Sequence, residues 1–107
     1  MSFAVYKYPL GFPGPWSYSV TRDLPITGRP LSDGMQGHEL MLWALVDPAL
    51  PSTPRHFLIN GTGVDLSELL QSGSAFIGTV RHEGPDQRVY WWHVFELVSF
   101  GPVLKEA

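Results

Sequence analysis

Glu39-Leu40-Met41-Leu42-Trp43-Ala44-Leu45-Val46-Asp47 is the stretch on which the fold turns. Its apolar side chains fall on both odd and even positions. A strand of that kind is buried on both sides. Gly37 before it and Asp47-Pro48 after it leave only nine residues, which favours a strand over a helix of the same hydropathy.

Working outward, ten Pro and eleven Gly cut the remaining sequence into short segments. That punctuation belongs to an all-β or α+β domain. Towards the N-terminus, Phe3 to Tyr8 reads as a first strand and Trp16 to Thr21 as a second. Three prolines between Pro9 and Pro15 forbid a regular ladder there, because proline lacks the N–H. Arg22 to Asp33 reads as irregular. Towards the C-terminus, Pro48 to Pro54 is a loop and His56 to Asn60 a strand. Gly61-Thr62-Gly63 then leads into a short helix. Asp65 is its N-cap, Glu68 its capping-box partner, Leu66, Leu69 and Leu70 its buried face, and Gly73 its C′ residue. Ala75 to His82 and Arg88 to Val98 form an antiparallel hairpin around Gly84-Pro85. Phe100 to Ala107 is a tail.

The expected architecture is one domain over residues 1–107, mainly β (α+β). It is a twisted antiparallel sheet, or a small sandwich or half-barrel, of five to six strands with one short helix. A chain of 107 residues leaves no room for a second core. Apolar residues make up 44% and charged residues only 16%. With so few charges to solvate its faces, the chain is expected to cover apolar surface by self-association.

The composition also excludes function classes. A net charge of −3 and seven scattered Lys and Arg make no basic face for duplex nucleic acid. Without cysteine there is no disulfide, thiolate metal site or Cys nucleophile. Met1 to Lys7 lacks the basic-then-apolar pattern of a signal peptide, and Leu40 to Val46 is too short to span a bilayer. The expected setting is the cytoplasm, without a membrane partner.

Three constellations carry possible chemistry. Gly61-Thr62-Gly63, between a strand and a helix, can turn backbone N–H groups towards an anion. It lacks the lysine and third glycine of the nucleotide motifs, and the same residues also make a plain tight turn. Trp43, Tyr90, Trp91, Trp92 and Phe95 form an aromatic group able to stack on a nucleobase, with Arg81, Arg88 and His93 in the same hairpin to hold a phosphate. The same aromatics equally suit a core or a subunit interface. Of the histidines, His82 and His93 are candidate cross-strand neighbours, while His38 and His56 read as surface residues. No metal-ligand spacing is present, and no cofactor is expected. Thr62, Thr79, His93 and Asp47 could assemble a nucleophile, base and acid, but no nucleophile elbow supports this. Glu96, in an apolar strand, calls for an arginine partner such as Arg55 or Arg81.

The order Leu42-Trp43-Ala44-Leu45-Val46-Asp47-Pro48, Gly61-Thr62-Gly63, Ile77-Gly78-Thr79-Val80 and Trp92-His93-Val94-Phe95-Glu96, with Val5-Tyr6-Lys7-Tyr8 before it, resembles a family of small proteins of bacteria and their phages, a domain of unknown function. The segment Phe12 to Trp16 departs from that family's short first turn. The resemblance implies no catalytic residues. It implies a phage accessory setting, in which small acidic proteins act as counter-defence factors. The leading expectation is therefore a non-enzymatic, oligomeric binding protein for a small polar or nucleotide-like ligand. Its ligand-binding residues are Gly61, Thr62, Gly63, Arg81, Arg88, Trp91, Trp92 and His93. The alternatives are an inhibitor or adaptor docking on a host protein, and a small hydrolase.

Overall fold

The computed structural model describes residues 2–14, 16–67 and 73–97. Among the described residues there are seven strands: β1 (Ala4–Gly11), β2 (Ser17–Pro25), β3 (Arg29–Gln36), β4 (Glu39–Val46), β5 (Ser52–Gly61), β6 (Ser74–Glu83) and β7 (Val89–Leu97). β4 is the middle of a three-stranded antiparallel sheet in the order β1-β4-β3. The other four strands make a second antiparallel sheet in the order β2-β5-β7-β6.

The sheets stack face to face, and the second sheet covers the face of β4 that carries Leu40, Leu42, Ala44 and Val46; on its other face Trp43 and Leu45 are only half-buried, so the expected burial on both sides holds for one. Leu40, Leu42, Ala44 and Val46 of β4 meet Phe57 and Ile59 of β5, Val80 of β6, and Trp92 and Val94 of β7 in one core. Leu10 and Leu24 close it, and both are fully buried. The shortest dimension of the backbone is 15 Å, as expected for two layers about 10 Å apart. Contact between layers runs along β3 and β6. There the Asp33 carboxylate lies against Gly78, where any Cβ would collide with it.

The strand count is seven rather than five to six because Arg22 to Asp33 is not irregular. β2 continues to Pro25 and β3 starts at Arg29. Pro30, Gly34 and Asp33 give β3 poor intrinsic β-propensity, but pairing with β4 outweighs it. A two-residue loop, Gly37-His38, joins β3 to β4, with Gly37 at φ 61° in the left-handed region. Proline is tolerated because β3, like β1 with Pro9, is an edge strand and bulges beside its proline.

The β6–β7 hairpin forms as expected, with Glu83 opposite Val89. Alternation along β7 sends Trp92, Val94 and Glu96 into the core and leaves Trp91, His93 and Phe95 on the outer face. Glu96 finds its arginine: both its oxygens accept from Arg55, whose remaining nitrogen donates to the Gly28 carbonyl at 2.8 Å. Of the expected helix, only Asp65, Leu66, Ser67 and the C′ residue Gly73, at φ 84°, fall among the described residues. Asp65 Oδ1 accepts from the Ser67 N–H at 2.9 Å, an N-cap geometry. Glu68, Leu69, Leu70 and the tail lie outside the described residues. No helix among the described residues is long and apolar enough to cross a membrane.

Candidate functional site

Two connections meet at one end of the sandwich. The first joins β1 to β2 and carries Pro13, Gly14 and Trp16; the second is the β6–β7 turn with Gly84, Pro85 and Asp86. Between them lies an open cleft of about 400 Å³, lined by these residues and by His82, Tyr90 and Trp92. A smaller hollow of about 200 Å³ shares Trp16, Tyr90 and Trp92 and adds Gly61, Thr62, Val89 and Trp91. Trp16, Tyr90 and Trp92 thus form a continuous aromatic wall.

Local chemistry fixes each part. The Gly61 N–H donates to the Trp16 carbonyl at 2.7 Å, tying the first connection to the end of β5. The Trp16 side chain itself is 70% exposed. Tyr90 and Trp92 follow the inward alternation of β7 and stack, centroids 6.1 Å apart at 26°. In the turn, Asp86 Oδ1 accepts from the Arg88 N–H at 3.0 Å and Oδ2 from the Tyr90 hydroxyl at 2.6 Å. The Tyr90 hydrogen bond, then the Arg88 N–H, hold the Asp86 carboxyl below the usual carboxylate range. The cleft rim therefore carries an ionised carboxylate at neutral pH.

His82 is 8% exposed and its Nε2 lies 3.0 Å from Nδ1 of His38, in the β3–β4 loop. One ring donates and the other accepts. Burial first, and the His38 ring second, hold His82 below the ordinary histidine value, against a smaller opposite pull from Asp86. Among the described residues His82 Nδ1 and Trp92 Nε1 are buried without a hydrogen-bond partner, as are Asn60 Nδ2 and Asp33 Oδ2. His82 and Trp92 line the same cleft.

Of the residues singled out in the sequence, Gly61, Thr62, Trp91 and Trp92 come together at the smaller hollow. His93 joins them through Thr62: its Nε2 lies 2.9 Å from the Thr62 hydroxyl and its Nδ1 2.9 Å from the Thr79 hydroxyl. Gly63, at φ 93°, makes the turn after β5 and lines neither hollow. Arg81 pairs across from Trp91 and Arg88 sits in the hairpin turn; neither belongs to either lining.

Three sequence expectations need correction. Trp43 is on the other sheet, across from Lys7 and Ser32, so the aromatic group divides. Tyr90 and Trp92 face inward; Phe95 packs on Phe76 outside, with ring centroids 5.4 Å apart. His82 and His93 are not cross-strand neighbours, because the register sets His82 against Tyr90 and His93 against Thr79. His82 is paired with His38 instead and is buried. Asp47 stays at the end of β4, where its Oδ1 accepts from the Ala49 N–H at 3.1 Å. It cannot stand behind His93 as a catalytic acid. Among the described residues, no three His, Asp or Glu side chains converge as metal ligands.

The cleft residues that sequence reasoning missed are Pro13, Gly14, Trp16, Gly84, Pro85 and Asp86, while Tyr90 and His82 were singled out there but not placed among the ligand-binding residues. Tyr90 and Trp92 share the parity of buried Val94, a signal that they point inward. Trp16 and Asp86 carry no such signal, because only the topology joins their two connections.

The chain matches, over residues 1–104, the family described as Domain of unknown function (DUF7352). The chain belongs to this family. The DUF7352 match takes in both sheets and both connections that make the cleft. No curated protein and no solved structure matches the chain.

Proposed function

We propose that this DUF7352 domain is a binding module whose ligand packs against Trp16, Tyr90 and Trp92. One observation carries the reading. Trp16, Tyr90 and Trp92 line one open cleft of about 400 Å³ together with His82 and the Asp86 carboxylate. A concave, mostly apolar hollow with a few polar groups set into it is the usual form of a small-molecule site. Catalysis finds less support: His93 lies between two threonine hydroxyls, and among the described residues no carboxylate is hydrogen-bonded to it.

The test is a thermal-shift screen of small polar molecules against the wild type and Trp16→Ala. Because the Trp16 side chain is mostly exposed, its removal leaves the core intact. Ligands of the cleft raise the wild-type midpoint and lose that effect in the variant. Hits that stabilise both proteins equally would refute the reading.

A second reading, docking of a protein partner or another copy, rests on the outer face of the four-stranded sheet. Phe76 is 60% and Trp91 48% exposed there. Light scattering at increasing concentration, with Phe76→Ser as comparison, separates this reading from the first.

A further inference from the structure

We propose that the group taken by the cleft is an organic cation, a methylated ammonium head. This rests on the binding reading above and names the chemistry of its ligand. Three observations point the same way. First, the wall is aromatic, and the faces of Trp and Tyr rings attract cations through their quadrupoles. Second, the charged side chain in the lining is the carboxylate of Asp86, held in place by Tyr90 and the Arg88 N–H. Third, among the described residues neither lining contains a lysine or arginine. His82 adds no compensating charge at neutral pH, since its burial and its contact with His38 disfavour the protonated ring.

The anionic ligand expected from the sequence would draw on Arg81 and Arg88, which stand outside both linings. Arg88 does act on the site, because its charge reaches Asp86 and Tyr90. It opposes a bound cation, and that supplies a variant of opposite sign. A methylated ammonium presents apolar methyl groups with a diffuse positive charge. It can press on ring faces at little desolvation cost, which a bare ammonium cannot. The same head group occurs on free molecules such as choline and on methylated lysine side chains.

The experiment titrates the intact chain with choline, with choline's uncharged carbon isostere, and with a peptide bearing trimethyl-lysine, followed by calorimetry and tryptophan fluorescence. Choline is expected to bind roughly tenfold more tightly than the isostere, the size of a desolvated cation–π contribution. Asp86→Asn should weaken choline several-fold and Arg88→Ala should strengthen it. A peptide that binds more tightly than choline places the head group on a protein chain; choline equal to the peptide places it on a free molecule. Both support the proposal. Equal binding of choline and the isostere, or of neither, overturns it, as does a gain on Asp86→Asn with a loss on Arg88→Ala. If other ligands still depend on Trp16, the binding reading survives that failure. If none does, both fall.

Discussion

His82 ties the chemistry of the cleft to the stability of the fold. Its ring is buried and faces His38, so the folded chain holds a proton there less readily than the unfolded chain. As pH falls through the ordinary value of 6.5, the unfolded state takes up the proton first. The stability His82 contributes is therefore full above that pH and is lost below it. Urea midpoints should drop between about pH 7 and pH 5, and His82→Gln should flatten the part of the drop that belongs to this ring. An unchanged profile in His82→Gln would show that the ring titrates as it does in solvent. At this scale the sequence offered little. A histidine one residue from the end of a strand reads as exposed, and its contact with His38, in the β3–β4 loop arriving from the other sheet, is not visible in the sequence.

At the scale of the elements, the legible parts were those whose side chains state their own surroundings. β4 is apolar on both parities, and β7 alternates so that Trp92 and Val94 fall on one side. β3 was not legible: Arg-Pro-Leu-Ser-Asp-Gly-Met-Gln has the composition of a loop, and becomes a strand because β4 offers it a free edge. Its side chains show the same dependence on context. Asp33 packs on Gly78 of the opposite sheet, with Oδ2 buried and unpartnered, and burial raises its carboxyl above the usual value. This contact gives a test of how the layers stack. Gly78→Ala should cost about 1–3 kcal/mol in urea unfolding, the usual range for overpacking. In an Asp33→Ala background the same change should cost less by about 1 kcal/mol or more, because the colliding carboxylate is gone. Equal costs in both backgrounds would mean that β3 and β6 do not meet there.

Over the whole molecule, two sheets leave one end where connections from distant parts of the chain converge. Gly61, Thr62, Trp91 and Trp92 could be singled out from the sequence because they lie in a glycine-rich turn and a tryptophan run. Trp16 and Asp86 are seventy residues apart in the chain, and pattern within a segment cannot bring them together. The ion pair of Arg55 with Glu96 shows the converse case. A carboxylate in an apolar strand states its need for a cation, so an arginine partner could be expected before the fold was known, and the fold chose Arg55 over Arg81.

The central claim is that the inward-facing aromatic wall, and not the outer face, is the working surface. The four tryptophans report on it separately. Heteronuclear NMR of the indole N–H groups, during titration with choline or any hit of the thermal-shift screen, tests it most directly. The account predicts that the Trp16 and Trp92 signals move together while Trp43 stays fixed. A titration in which Trp91 moves and Trp92 does not would contradict it.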